Sequence, residues 1–140
     1  MKERRLNEIK GVILVSVGLI VLASLVSFTP YDLAFYTSYP NNPPHNLIKG
    51  FGAGLGGLIL FLFGWAGYII PAFIIFLGIK LFRQDEPDLR IPRILGQLVF
   101  ILSVSAIIGI SIPENEAISF SRGGFIGFFI SRFERIHFDR

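Results

Sequence analysis

The chain contains no cysteine, so neither a disulfide framework nor a thiolate metal site is open to it. Charge is also scarce, with Asp, Glu, Lys and Arg together making up only 16% of 140 residues. The scarcity is local: residues 11–28, 50–79 and 94–112 contain no Asp, Glu, Lys, Arg or His. Inside those stretches no carboxylate or imidazole pair can form, which argues against a proton-coupled carrier and an intramembrane acid–base enzyme. A phosphate loop of the G-x-x-x-x-G-K-[ST] kind is missing, as are H-E-x-x-H and G-x-S-x-G. With them go the commonest nucleotide-, zinc- and serine-based chemistries. No catalytic residue, cofactor site or metal ligand is therefore expected.

Hydrophobic residues make up 52% of the chain, and the mean hydropathy is +0.63. The three uncharged stretches are 18, 30 and 19 residues long, against the roughly 20 that cross a hydrocarbon core as helix. The expected fold is all-α: a single polytopic membrane domain over residues 1–140, a helical bundle of three spans. A pI near 9.5 would suggest nucleic acid in a soluble protein, but Lys and Arg here sit at span borders, where they orient helices. The first apolar run exceeds the roughly 7–15 residues of a signal core. Its one passable cleavage triplet, Val21-Leu22-Ala23, lies inside that run, so an uncleaved anchor is expected.

Lys2, Arg4, Arg5 and Lys10 precede the first span, and Lys80, Arg83, Arg90 and Arg93 follow the second. The loop after the first span has only Lys49, and the one after the third only Arg122. Short cytoplasmic loops retain Lys and Arg, which predicts a cytoplasmic N-terminus with the 29–49 loop on the opposite side. That loop is rich in Pro, Asn and Tyr; Tyr31, Tyr36 and Tyr39 suit a headgroup zone, where a ring is buried and its hydroxyl stays wet. His45 has no second imidazole or thiol nearby and reads as a solvated side chain. The mixed-sign 80–93 segment, around Pro87 and Pro92, reads as a solvated turn.

At 30 residues the second span would be about 45 Å of straight helix. It must tilt, break or begin at the interface. Residues 50–57 are expected near the interface, 58–79 to cross, and Pro71 to invite a kink. Steps of three and four give Gly50, Ala53, Gly57, Leu60, Gly64, Gly67 and Pro71. Small side chains let membrane helices approach closely, so Gly50, Ala53, Gly57, Gly64, Gly67 and Pro71 are the candidate helix-packing residues. Gly52-Ala-Gly-Leu-Gly-Gly57 matches G-x-G-x-x-G, yet a loop precedes it and an apolar run follows, with no βαβ unit to hold a dinucleotide. Ser16, Gln97, Ser103 and Ser105 are polar groups inside spans and suit interhelical hydrogen bonds. At the C-terminal end, residues 123–131 are too few to cross. As helix, 123–138 puts Phe125, Phe129, Phe133 and Ile136 on one face and Arg132, Arg135 and Asp139 on another, the pattern of an interfacial or re-entrant segment.

Asn46-Leu-Ile-Lys-Gly-Phe-Gly-Ala53, Leu55, Leu60-Phe-Leu-Phe-Gly64, Tyr68 and Pro71 together resemble the second-helix signature of the FtsK/SpoIIIE DNA translocases, in their N-terminal four-helix membrane domain. Lys10-Gly11, Ser27-Phe-Thr-Pro-Tyr-Asp32 and Gly123-Gly-Phe-Ile-Gly127 stand in the family's order. One departure is Gly57, where family members often carry an acidic residue. The family also has a fourth span, a linker and a hexameric motor with a Walker A loop, and this chain reads as the front part without them. The resemblance implies a non-enzymatic membrane anchor and oligomerisation module of a septal translocase. Its setting would be the bacterial inner membrane, with lipid, further copies (a hexamer) and other division proteins as partners, and with no direct nucleic-acid contact. The alternative is a standalone small membrane accessory or scaffold protein.

Overall fold

The computed structural model describes residues 2–85, 91–111 and 116–138. All regular structure among them is helical. Among the described residues, three apolar helical stretches are long enough to cross a membrane: Arg4–Val26, Lys49–Phe82 and Ile91–Ile110.

Helix α1 runs Lys2–Val26 and so begins nine residues before the uncharged stretch. The basic decapeptide consists largely of good helix formers. Arg4 pairs with Glu8 one turn on at 3.3 Å, an exposed contact that contributes a few tenths of a kcal/mol at most. At the other end, the Ser27 hydroxyl donates to Ala23 O at 2.6 Å. Pro30 then opens a short 3₁₀ turn, Pro30–Asp32.

The second apolar stretch is two helices. Helix α2, Lys49–Phe63, is separated from α3, Ile69–Phe82, by a 3₁₀ segment, Gly64–Tyr68. The break falls at Gly64, whose φ of 57° is left-handed, a conformation open to glycine without the Cβ penalty other residues meet. This corrects the expected kink at Pro71: the second apolar stretch breaks, one of the outcomes its length allowed, but seven residues earlier. Tyr68 is the N-cap of α3, so Pro71 occupies the third helical position, where a backbone N–H has no intrahelical acceptor to lose. The end of α3 is closed by Asp85 N–H on Lys80 O and Gln84 N–H on Leu81 O, at 2.9 and 3.1 Å. That Schellman pattern places Gln84 in the left-handed region, at φ 65°.

Helix α4 spans Ile91–Ile110, and α5 spans Glu116–Phe138 with a non-helical residue, Gly124, at φ 66° and ψ −175°. The expected segment 123–138 is thus part of a longer element, divided into 116–123 and 125–138. Phe125, Phe129, Phe133 and Ile136 are exposed, as is Arg132. The side chain of Arg135, and Asp139, lie outside the described residues, as do residues 86–90 of the 80–93 segment. What α5 buries is its small side: Gly123, Gly124, Gly127 and Ser131.

The described residues form two compact units, Met1–Gly57 with Tyr68–Arg90, and Leu58–Gly67 with Ile91–Arg140. In the first, α1 packs on α3; in the second, α4 packs on α5. Most large apolar side chains on these helices are exposed. In a membrane protein that is the expected economy, because lipid solvates them and helix pairing depends on close packing.

Candidate functional site

Where α1 meets α3, glycines remove the side chains that would separate two backbones. A methyl group at Gly11 would lie 2.7 Å from both Gly78 O and Phe82 N. One at Gly18 would lie 3.3 Å from Pro71 O, and one at Gly78 2.8 Å from Gly11 O. Gly11 and Gly18 are two turns apart and face the same neighbour; a larger residue at Gly11 must move a backbone, while one at Gly18 first displaces the Ile75 side chain, 2.5 Å from its methyl.

Beyond the last turn of α1, the 29–49 loop is folded back and pinned by a polar clasp. Asp32 and Asn46 are 6% and 1% exposed. The Asp32 carboxylate accepts Asn41 Nδ2–H and His45 N–H at 2.9 Å each. Its other oxygen accepts Asn46 N–H at 2.8 Å. Asn46 then donates through Nδ2 to Ser24 O at 2.9 Å and accepts Ile48 N–H at 3.0 Å. The Ser27 hydroxyl, already donating to Ala23 O, accepts Leu47 N–H at 3.0 Å, and Tyr68 reaches Leu25 O at 3.2 Å. The free carbonyls at a helix end need such partners. Among the described residues no buried side-chain polar atom lacks one. Burial pushes the Asp32 carboxyl up, but the hydrogen bonds from Asn41, His45 and Asn46 and the nearby His45 ring outweigh it, so its pKa lies below the ordinary 3.8.

In the second unit, the Ser105 hydroxyl on α4 donates to Gly123 O on α5 at 2.6 Å. A methyl at Gly123 would meet Gly109 Cα at 2.9 Å, and one at Gly109 would meet the Gly127 backbone. Ser105/Gly109 and Gly123/Gly127 are thus small residues four apart on facing helices. The two left-handed glycines also meet: a methyl at Gly64 would strike the Arg122 carbonyl, and one at Gly124 would lie 2.7 Å from Leu62 O. Phe61 stacks on Phe125 at 5.9 Å, and the Arg122 guanidinium lies 5.1 Å from the Trp65 ring centre.

The six candidate packing residues fall on several contacts. Ala53 is fully buried, and Gly57 faces Leu33 and Phe28. Gly64 meets Arg122, Gly67 meets Ile59, and Pro71 is buried facing Gly18. Nothing lies within 4 Å of a methyl at Gly50. A stripe counted through the sequence assumes one helical phase, and the break at Gly64 resets it. Residues 52–57, with the G-x-G-x-x-G spacing, are plain α2 helix, with Gly52 and Gly56 packed on Ser24. Sequence reasoning missed Gly11, Gly18 and Gly78, the Asp32–Asn46–Ser24 clasp, and Gly109, whereas the interhelical bond expected of Ser105 is present and the Ser103 hydroxyl instead bonds Val99 O within α4. The signals were present: glycines seven apart in the first span, a small-x-x-x-small pair in the third, and Asp32 and Asn46 inside the motifs that carry the family resemblance. Among the described residues no group of three His, Cys, Asp or Glu is placed to hold a metal.

A family model described as the 4TM region of DNA translocase FtsK/SpoIIIE matches residues 3–138. This chain belongs to that family. The DNA translocase FtsK of Shewanella oneidensis is 32% identical over 113 residues, which cover 76% of this chain and 12% of that protein. The FtsK/SpoIIIE-type chain thus spans only a small part of the length of the curated relative it matches. Comparison with solved structures finds no match. In this membrane region, α1 packs closely on α3, α4 packs closely on α5, and the loop after α1 is pinned to that helix's end.

Proposed function

We propose that the chain is the membrane anchor and oligomerisation module of a DNA translocase at the division septum, serving chromosome segregation and cell division. The observation that carries this reading is the family match over residues 3–138. The relative's printed activity, DNA translocation, supports it. Motor chemistry belongs to other parts of such a protein, and this segment has no enzymatic role and no direct nucleic-acid contact. In this reading the segment lies in the inner membrane with its N-terminus cytoplasmic, as the Lys and Arg distribution favours. Its partners are lipid, further copies of itself, a hexamer by analogy with the family, and other division proteins. The candidate packing residues Gly50, Ala53, Gly57, Gly64, Gly67 and Pro71 hold helices within a chain or between chains.

The test is a fluorescent fusion of residues 1–140 expressed in dividing bacteria, with chemical crosslinking in the same membranes. Enrichment at the septum and a ladder of crosslinked copies are expected. Uniform envelope fluorescence with only monomer would overturn the reading in favour of a standalone membrane accessory protein.

A further inference from the structure

Between Leu33 and Ile48 the loop carries no Asp, Glu, Lys or Arg, although it joins two membrane helices. Phe35 and Tyr39 are 85% and 90% exposed. The Phe35 ring is held in place, and Tyr39 is fixed through its backbone, whose N–H donates to Thr37 Oγ1 at 3.3 Å. Phe28, just past α1, packs edge-on against Tyr36 at 6.2 Å, and Tyr36 packs edge-on against Phe35 at 5.7 Å. Tyr36 N–H and Thr37 N–H both bond Leu33 O, and Asn41 N–H bonds Tyr31 O at 2.8 Å. The clasp to Ser24 and Ser27 keeps the whole segment against the last turn of α1. It therefore cannot extend far from the membrane that α1 leaves.

We propose that this loop is a lipid-binding surface, with Phe35 and Tyr39 seated at the boundary between headgroups and acyl chains of the leaflet at the C-terminal end of α1. Two features select lipid over a protein partner. The exposed rings lie in a loop whose two ends are also apolar and exposed, at Val26 at the end of α1, Leu47 before α2 and Phe51 in its first turn, as expected beside lipid. The patch also offers no side-chain charge to complement a protein surface; it offers rings, hydroxyls and loop carbonyls, which the wet, partly apolar interface solvates. The clasp preorganises the loop, so insertion does not first have to order it. The proposal needs only that the chain crosses a membrane and is independent of the septal reading.

The absence of cysteine gives a direct test. Phe35→Cys and Tyr39→Cys are each labelled with a nitroxide in the full chain, reconstituted in phosphatidylethanolamine/phosphatidylglycerol vesicles. Val17→Cys, exposed in mid-α1, and Arg5→Cys serve as acyl-chain and water references. The ratio of oxygen to nickel-chelate collision rates at 35 and 39 is expected to be several-fold above the Arg5 reference and below the Val17 reference. A ratio equal to that at Arg5 would place the loop in water and overturn the proposal. Suppression of both collision rates with an immobilised spectrum would also overturn it, since the surface would then be covered by protein. The two positions report separately, so a variant that fails to reconstitute leaves the other to decide.

Discussion

Gly64→Ala tests whether the break between α2 and α3 is built into the backbone. At φ 57° an alanine pays a left-handed penalty of about 1–2 kcal/mol. Its methyl would also run into the Arg122 carbonyl and lie 2.5 Å from Gly124 N, contacts with backbone that no side-chain rotation relieves. Overpacking of this kind costs about 1–3 kcal/mol, so the two effects together destabilise by roughly 2–5 kcal/mol. Gly50→Ala is the matched control. It removes a glycine from the first turn of α2 with open space around it, where the helix-interior penalty applies only in part, and is expected to stabilise by at most about 0.5–1 kcal/mol. The assay is unfolding in mixed micelles followed by far-UV circular dichroism. Gly64→Ala combined with Gly124→Ala should cost less than the sum, because each substitution already disrupts the other's contact. A loss below about 1 kcal/mol for Gly64→Ala, or parity with Gly50→Ala, would mean that the break relaxes into ordinary helix and would refute the reasoning.

Because Asp32 is held below 3.8, its contribution is present above that pH and is lost as pH falls through the lower folded value; protease sensitivity of the 29–49 loop should rise there, and Asp32→Asn should flatten the profile. Tyr36→Cys should react with a membrane-impermeant thiol reagent applied to whole cells and Gln84→Cys should not; the reverse pattern would invert the proposed orientation. Ser105→Ala removes the bond to Gly123 O and should weaken α4–α5 pairing by about 0.6 kcal/mol, whereas Gly127→Leu, which has no space beside Ser105 O, should abolish it; equal effects in a helix-association assay would count against the close-packed seam.

Spans were legible in this sequence because charge exclusion over about 20 residues is a signal lipid enforces everywhere. Helix α1 shows the limit: its charged first turns continue the helix past the apolar boundary, and hydropathy does not register that. The break was expected at the residue that cannot donate, Pro71, and occurs at the residue that can adopt positive φ, Gly64. Proline tolerates a first helical turn, while the sequence does not mark which of several glycines takes a left-handed conformation. Likewise the packing glycines 11, 18, 78, 109 and 127 act through partners far away in sequence. A stripe counted along one segment identifies small residues without saying what they touch. The clasp lay in plain sight at Asp32 and Asn46, but its bonds run mostly to backbone groups of other segments, which composition does not encode.

The path of α2 bears on how much of the second apolar stretch crosses the membrane. Gly57 lies about 12 Å along α2 from Lys49, which in a helix running back alongside α1 would place it well down the side of α1. Instead Gly56 packs on Ser24, Gly57 faces Phe28 and Leu33, and Tyr68 returns to Leu25. Tyr68 thus returns to the end of α1 on which residues 56 and 57 pack, and α3 runs back along α1 past Gly18 and Gly11. A charge should then be cheap on the exposed Leu58, which follows Gly57, and costly on the exposed Phe76 in mid-α3. Phe76→Lys is expected to reduce membrane insertion by about 2.5–3.5 kcal/mol, as for a charge at a helix centre, and Leu58→Lys by less than half of that. Translocon insertion of the two variants, scored by glycosylation of flanking tags, separates the cases. Equal costs at both positions would show that α2 traverses the hydrocarbon core as α3 does.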